Sequence, residues 1–218
     1  MLKHAAKEAA CEYAKELGSG EPLLVTTVKP EGTLSQLPTV SSGVHYSHSP
    51  YYVRRVRVSS SDPLVKVCEE LGYPIHPEVG QEMETARTKV VEFPVKAPEG
   101  RTKKDATAIE QLENYIMFMN NYVDHNCSIT VTVKEHEWDE VEQFIWDRWD
   151  EVVAITLLAD FDSVYDLLPY EEITEEEYVQ RKQDMKPFQS GLIQKYESIP
   201  SEEELLETGC ESGICPIR

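Results

Sequence analysis

Two cysteines near the end of the sequence, Cys210 and Cys215, have the spacing of a dithiol that can be oxidised and reduced. Gly209 and Gly213 permit the tight bend that a small disulfide ring requires. In a reducing compartment, an exposed pair of this kind is more typical of redox exchange than of a structural crosslink. The alternatives are idle thiols or half of a metal site, although the sequence holds no second cysteine pair to complete a zinc site.

A second group of residues has the composition of an anion-binding turn. It follows a short run of β-branched residues and consists of Pro30, Glu31, Gly32, Thr33 and Ser35. Proline fixes one backbone angle and glycine frees another, so backbone N–H groups can converge on an anion beside the hydroxyl groups. The pattern is not a GxxxxGK[ST] phosphate loop, and an ordinary turn is the alternative.

The charge of the chain disfavours several classes of partner. Its 218 residues include 40 acidic and 21 basic side chains, which gives a formal net charge of −19. A polyanion of this kind does not bind nucleic acid or an anionic membrane through its overall field. The sequence has no apolar run long enough to span a bilayer, and its start lacks an apolar signal core. We therefore expect a cytoplasmic protein that binds neither nucleic acid nor membranes.

The elements that would position these groups alternate between helix and strand. Strand, helix and apolar strand over residues 128–158 predict a parallel βαβ crossover, whose last strand we expect to be buried on both faces. Residues 73–85 contain two prolines and a glycine, which predicts a loop. The expected helices cover residues 2–17, 63–71, 108–122 and 137–152, and the expected strands cover residues 25–28, 51–58, 89–95, 128–133 and 153–158. Asp62 is the expected cap and Gly72 the expected stop of the second helix, and Thr107 with Glu110 and Thr174 with Glu177 are expected capping boxes.

Three arginines lie in the strand that follows the turn region. Alternation places Arg55 and Arg57 on one face of that strand and Arg54 on the other. We favour pairing with carboxylates of this acidic chain, and neutralisation of a bound phosphate is the alternative. His45 and His48 lie nearby, but no cysteine or carboxylate stands around them at ligand spacing, so we predict no metal site.

The longer context of the turn resembles the C-terminal part of ribonucleotide reductases. The resemblance is particularly to the adenosylcobalamin-dependent (class II) type that uses ribonucleoside triphosphates. It implies that residues 1–186 are the C-terminal part of the reductase α/β barrel, of the glycyl-radical type, and that residues 187–218 are a flexible acidic tail. The stretches that carry the resemblance are VTTVKPEGTLSQL, SSGVHYSHSPYYVRRVRVSSSDPL, TAIEQLENYIMFMNNYVDHNCSITVTV, WDEVEQFIWDRWDEVVAITLL, PYEEITEEEY and CESGIC.

The resemblance also implies roles for the two groups described first. A turn of the P-S-G-T type holds the substrate phosphates in that family, and this chain departs from it at Glu31, whose charge repels a polyphosphate. The C-x4-C tail of the family reduces the active-site disulfide after each turnover and is re-reduced by thioredoxin or a similar donor. That shuttle role falls on Cys210 and Cys215.

Other parts of the family's chemistry have no counterpart in this sequence. The radical-bearing cysteine and the reducible active-site pair are absent, because Cys11, Cys68 and Cys127 lie in other contexts. Cys68 and Cys127 are expected to be structural, and Cys11 is expected to be a packing or surface thiol. The family's adenosylcobalamin would be bound mainly by an upstream region. We therefore expect a split-gene product or a fragment whose partner is the N-terminal half of the reductase.

The expected function is reduction of ribonucleoside triphosphates to 2'-deoxyribonucleotides, in which this chain supplies the phosphate turn and the thiol tail. Within the family, a diphosphate-using reductase is the alternative. A non-catalytic redox or regulatory partner that kept the fold is a second alternative. A plain nucleotide-binding module is a third alternative. Its function would not change if Cys210 and Cys215 were replaced.

Overall fold

The computed structural model of the protein describes residues 1–160 and 166–197. Helices and strands alternate along the chain, which confirms the expectation of a mixed α/β fold. The chain divides into two compact units. The described residues of the first unit are 1–50 and 96–160, and those of the second unit are 51–95 and 166–197.

The elements are numbered along the whole chain. Across the described ranges, no helix is long and apolar enough to cross a membrane. The helices are α1 (Leu2–Glu16), α2 (Pro63–Leu71), α3 (Ala108–Asn121), α4 (Trp138–Asp147), α5 (Glu175–Asp184) and α6 (Ile193–Tyr196). The strands are β1 (Tyr51–Ser59), β2 (Ile75–Pro77), β3 (Thr88–Lys96), β4 (Thr130–Val133), β5 (Thr156–Ala159) and β6 (Tyr170–Glu172).

The first unit contains the predicted parallel crossover. Strands β4 and β5 pair in parallel, with Val131 opposite Leu157, and α4 lies between them in the chain. Helix α3 begins at the predicted capping box, in which Thr107 and Glu110 bond to each other's backbone N–H groups. Its inward residues form the core with β4 and α4, and the fully buried members include Leu112, Tyr115, Val131, Val133 and Val141.

The strand predicted over residues 25–28 is reduced to one parallel bridge, between Val28 and Cys127. The hydroxyl group of Thr26 donates to the carbonyl oxygen of Tyr122, and that of Thr27 donates to the carbonyl oxygen of Asn126 at 2.8 Å. These side-chain bonds to the backbone take the place of a regular ladder. The prediction of a strand here is therefore wrong, although the segment keeps the parallel direction.

Strand β5 is less buried than its apolar sequence predicts. Leu158 is 56% exposed, and Val153 just before the strand is 61% exposed. Within the described residues β5 pairs only with β4, so it forms the edge of a two-stranded sheet. The expectation of burial on both faces is wrong for this chain by itself, because nothing described here covers the second face.

The second unit is built on a four-stranded sheet in the order β2-β3-β1-β6. Strand β6 runs antiparallel to β1, and β2 runs antiparallel to β3. Helix α2 begins at the predicted cap Asp62, whose carboxylate accepts the N–H of Leu64, and it ends at Gly72 with φ of 74°. Strand β2 lies in the segment predicted as a loop, because its pairing with β3 outweighs the local proline signal.

The end of the described chain is ordered against α2. The turn Ser190–Leu192 and helix α6 pack on the cluster around Leu71, and Lys195 and Tyr196 both bond to Glu70. The flexible arm expected from residue 187 is instead packed against α2 over residues 190–196. Apolar side chains at helical spacing explain the difference. Cys210 and Cys215 lie outside the described residues, and the division at residue 186 stays a prediction.

Candidate functional site

The predicted anion-binding turn is only partly presented to solvent. The side chains of Pro30, Glu31 and Thr33 are exposed, whereas Ser35 is 3% exposed. The N–H of Ser35 donates to the carbonyl oxygen of Glu31 at 3.1 Å, and its carbonyl oxygen accepts the N–H of Val40 at 3.1 Å. Ser35 therefore holds the shape of the turn, while the side chain of Thr33 lies on its surface.

Gly43 packs closely against the backbone at the start of this turn. Its φ is +57°, and a Cβ added to it would lie 2.8 Å from the carbonyl oxygen of Lys29 and 3.2 Å from the Cα of Pro30. Only glycine accepts both the left-handed conformation and this close approach. The segment around Gly43 is thus packed directly on the start of the turn, a contact that sequence reasoning missed because it joins positions far apart in the chain.

An open cavity of about 430 Å³ lies beside Gly43 in the first unit. The turn residues 30–35 are not part of its lining, and the cavity adjoins the turn through Gly43 and through Val40, whose N–H donates to the carbonyl oxygen of Ser35. Asn114 at its wall donates to the carbonyl oxygen of Val44 at 2.8 Å. The lining consists of Val40, Ser41, Gly43, Val44, His45, Tyr46, Ser47, Pro98, Glu99, Gly100, Arg101, Asn114 and Phe118.

His45 in this wall has both ring nitrogens in use. Its Nδ1 lies 2.8 Å from the carbonyl oxygen of Ser42, and its Nε2 accepts the backbone N–H of Thr130 at 2.9 Å. These partners require the tautomer that carries its proton on Nδ1. His45 therefore joins the loop to β4 and does not act as a metal ligand here. Within residues 1–160 and 166–197, no cluster of three or more His, Cys, Asp or Glu side chains is placed to hold a metal.

Arg101, at the rim of the cavity, forms an ion pair with Glu110. Two of its guanidinium nitrogens lie 2.8 Å from the two carboxylate oxygens, which is a bidentate pair. Hydrogen bonds from Arg101 and from the N–H of Thr107 lower the pKa of Glu110 to about 2. The guanidinium group of Arg101 is thus already paired with a carboxylate at the start of α3. A phosphate at the rim of the cavity would have to compete with Glu110 for this guanidinium group.

Arg55 and Arg57 of β1 pair with carboxylates, as favoured from the sequence. Arg54 donates to the carbonyl oxygen of Pro169 at 3.1 Å and lies over the ring of Tyr170. Arg55 is buried and bonds to Glu92 at 2.7 Å, and it also contacts Glu171 on β6. Arg57 forms a pair with Glu78 at 2.8 Å. Because these carboxylates already neutralise the two guanidinium groups, the alternative of phosphate binding by Arg55 or Arg57 loses its support.

Glu92 is the centre of a buried charge network in the second unit. Its carboxylate contacts Arg55, Arg181 at 3.0 Å and His76 at 3.4 Å. Burial opposes its charge, but the hydrogen bond and charge of Arg55, together with His76 and Arg181, hold the pKa of Glu92 below its ordinary value. The network joins three strands to α5 and is structural.

The described cysteines are not placed for redox chemistry. Cys68 and Cys127 are buried in the two cores, and burial raises the pKa of both thiols. Because the thiolate is the reactive form, a raised pKa makes these side chains inert. Cys11 is half-buried in α1, and all three are free thiols. The prediction that Cys68 and Cys127 are structural is confirmed.

Comparison with known proteins defines a class for this fold. No family model matches the sequence. Over its whole length, however, the chain is similar to class II ribonucleotide reductases, and the resemblance expected from the sequence is confirmed.

The particular relatives are enzymes named adenosylcobalamin-dependent ribonucleoside-triphosphate reductase. Those of Lactobacillus delbrueckii subsp. bulgaricus and Lactobacillus leichmannii are 30% identical over 224 aligned residues, which cover 100% of this chain and 30% of each relative. A crystal structure of a B12-dependent (class II) ribonucleotide reductase matches with a TM-score of 0.73 and 28% identity. That match covers 92% of this chain and 28% of the other. The chain thus spans about three tenths of the length of these proteins.

The described residues do not by themselves fit the cofactor that the relatives' name implies. Adenosylcobalamin is a corrin with an adenosyl group and a nucleotide loop, larger than the drug-sized ligands that fill pockets of roughly 300–1,000 Å³. The cavity beside Gly43 measures about 430 Å³, and His45 in its wall has no free ring nitrogen. A complete cobalamin site therefore needs residues beyond those described.

Proposed function

We propose that this chain is the C-terminal section of a class II ribonucleotide reductase barrel. It serves the reduction of ribonucleoside triphosphates to 2'-deoxyribonucleotides in the cytoplasm. The observation that carries the proposal is similarity along the entire chain to ribonucleoside-triphosphate reductases. The parallel pairing of β4 with β5 and the parallel bridge at Val28 are consistent with a barrel segment.

In this proposal, the turn at residues 30–35 binds the substrate phosphates. Backbone N–H groups near Gly32 and the hydroxyl group of Thr33 donate to the phosphate oxygens, while Ser35 and Pro30 hold the turn in shape. Gly43 packs against the backbone of Lys29 and Pro30 at the start of the turn. Glu31 is exposed, so its carboxylate can turn towards solvent and away from the polyphosphate.

The tail supplies electrons. The thiolate of one member of the pair Cys210/Cys215 attacks a sulfur of the oxidised active-site pair on the other part of the enzyme, and the second member then resolves the mixed disulfide. Two electrons and two protons pass to the active-site pair, and a disulfide between Cys210 and Cys215 remains. Thioredoxin, or a similar dithiol donor, reduces that disulfide again.

The remaining chemistry belongs to the N-terminal half. The radical-bearing cysteine and the active-site pair are assigned to it, because Cys68 and Cys127 are buried and Cys11 is half-buried. Most of the adenosylcobalamin site is assigned to it because the described cavity is too small for that cofactor. This chain is therefore proposed to be inactive without that half.

The test combines this chain with an N-terminal half of a class II reductase and measures deoxyribonucleotide formation. Changing Cys210 and Cys215 to Ser should abolish turnover with thioredoxin and leave activity with a small dithiol, because the small molecule reaches the active-site pair directly. Cys11→Ser is the control and should leave both activities unchanged. Equal activity of the double variant with thioredoxin would contradict the shuttle.

Glu31 favours a second candidate, a non-catalytic redox or regulatory partner. A carboxylate stands there in place of the serine of the phosphate turn, and it weakens polyphosphate binding unless it turns away. Binding to the N-terminal half without any restored reduction of either ribonucleoside triphosphates or diphosphates would support this candidate against the enzyme. Turnover with diphosphates alone would instead assign the diphosphate-using type.

A further inference from the structure

The three tryptophans of the chain all lie at or near α4, and two of them are unusually exposed. Trp146 is 75% exposed and Trp149 is 68% exposed, and Val153, between them and β5, is 61% exposed. We call these three residues the tryptophan surface. Large aromatic side chains are highly buried on average in folded proteins, and they are enriched where one protein binds another. Their exposure here indicates a surface that is covered in the assembled protein.

The strand next to this surface also lacks a neighbour. Strand β5 pairs with β4 on one side, and across the part of the chain that the structure describes no strand pairs with its other side. Leu158 on β5 is 56% exposed. Parallel strands occur almost only in larger sheets that are covered on both faces, and an open edge is a template for a further strand.

The surrounding charges favour one kind of occupant. Exposed acidic residues are close neighbours of the tryptophan surface in the sequence, Arg148 between the two tryptophans is paired with Glu151 at 3.2 Å, and the whole chain carries a net charge of −19. A second copy of this chain would bring the same charges together, which like-charge repulsion disfavours. A partner with basic residues around an apolar centre is favoured instead. The acidic residues are Asp139, Glu140, Glu142, Asp147 and Asp150.

We propose that the tryptophan surface and the outer edge of β5 bind the part of a class II reductase that this chain does not span. That part amounts to about seven tenths of the relatives, since the chain covers 30% of them. A strand of the partner pairs in parallel with β5, apolar side chains of the partner bury Trp146 and Trp149, and Lys or Arg residues face the acidic rim. The inference rests on the proposed function and adds the binding surface.

The location of the tryptophans provides a direct readout. Because Trp138, Trp146 and Trp149 are the only three in the sequence, the full chain labelled with 5-fluorotryptophan gives three fluorine resonances, which single Trp→Phe variants assign. The probe partner is a class II reductase relative from which the region matched by this chain has been removed. On mixing, the resonances of Trp146 and Trp149 should shift and lose their sensitivity to solvent.

Substitution tests the same surface by affinity. Trp146→Ser and Trp149→Ser should each weaken binding of the probe partner by roughly 30-fold, as expected for an aromatic anchor at the centre of an interface. Both side chains are exposed in the chain alone, so its thermal unfolding should change little. Leu64→Ser is the matched control, since Leu64 is 42% exposed but lies in the second unit, and it should bind as the wild type does.

The outcomes separate this surface from the proposed function. If deoxyribonucleotides form while the resonances of Trp146 and Trp149 do not shift, the proposed binding surface is wrong and the proposed function still holds. Shifted resonances without turnover would support the surface and contradict the catalytic function. Absence of a complex, or sedimentation showing that the chain alone forms a dimer that already protects both tryptophans, would overturn the surface.

Discussion

Thr33 and Ser35 carry the same hydroxyl chemistry in opposite surroundings. Thr33 is exposed, whereas Ser35 is 3% exposed and holds the turn through its backbone N–H and carbonyl groups. The side chain of Thr33 therefore lies at the surface of the turn, whereas that of Ser35 lies inside it. This difference assigns the direct phosphate contact to Thr33 and a supporting role to Ser35 in the proposed site.

The first prediction concerns Thr33→Val in the assembled enzyme. A hydrogen bond to a charged group contributes about 1.5–3 kcal/mol, so its loss should raise KM for the ribonucleoside triphosphate by roughly tenfold or more. Steady-state kinetics measure the change, and the free energy of unfolding should stay the same because the side chain is exposed. Thr85→Val, an exposed threonine of the second unit, is the control. An unchanged KM in Thr33→Val would remove Thr33 from the site.

At the scale of elements, the contact of Gly43 with the turn is the feature that positions the candidate site. A side chain at this position meets the carbonyl oxygen of Lys29 at 2.8 Å, and the backbone has a positive φ. Gly43→Ala should therefore destabilise the chain by about 1–2 kcal/mol. It should also raise KM for the triphosphate, because the turn must move.

Gly20 provides the matched control for this prediction. A Cβ at Gly20 meets nothing within 4 Å, and its φ is not in the left-handed region. Gly20→Ala should leave the free energy of unfolding unchanged or raise it by up to about 1 kcal/mol, because alanine restricts the unfolded chain. Chemical denaturation measures both variants, and equal destabilisation of the two would contradict the role of Gly43.

The charge network around Glu92 gives a prediction for pH dependence. The pKa of Glu92 is lower in the folded chain than its ordinary value, so its ionised form contributes stability above about pH 4.3 and loses it as the pH falls through the folded-state pKa. Glu92→Gln should cost about 3 kcal/mol at neutral pH, because Arg55 stays buried without its charge partner. The difference from the wild type should shrink below pH 4.

Denaturant unfolding across the pH range from 3 to 8 measures this difference. Glu84→Gln is the control, because Glu84 is an exposed carboxylate of the same unit. If Glu92→Gln lowers the free energy of unfolding by the same amount down to pH 3, the shape of the Glu92 side chain, and not its charge, stabilises the sheet.

Local sequence signals predicted most helix boundaries, although the helix expected over residues 137–152 ends at Asp147. The cap Asp62, the stop Gly72 and the capping boxes at Thr107 and Thr174 are all confirmed, because each joins groups within a few residues of one another. Strands β2 and β6 were missed, since three-residue strands owe their existence to partners far along the chain. The turn around Pro30 was predicted, but the burial of Ser35 and the contact with Gly43 depend on packing that the sequence does not display.

At the scale of the whole molecule, the apolar residues of β5 explain another difference. Val153 and Leu158 predicted a strand buried on both faces, but they are exposed in the described chain. The sequence pattern is typical of a strand inside a larger parallel sheet. The discrepancy is therefore resolved if the rest of the reductase supplies the missing neighbours, which is the partner already proposed.

The last prediction is that stability depends on the concentration of this partner. A partner that binds only the folded chain adds about 2.7 kcal/mol to the free energy of unfolding at 100 times its dissociation constant. Thermal unfolding of the chain should therefore shift upward as the N-terminal half is titrated, and an unrelated protein at the same concentration should have no effect. A chain that is monomeric, unfolds cooperatively and has no affinity for that half would contradict the proposal.

The path of the chain through its first unit has a further consequence. The N–H of Ala97 donates to the carbonyl oxygen of Pro50 at 2.9 Å, so the stretch between them leaves and re-enters the first unit at one point. Insertions or deletions within residues 51–95 leave these two anchor positions in place. The parallel pairing of β4 with β5, which both follow this stretch in the chain, therefore does not depend on the length of residues 51–95.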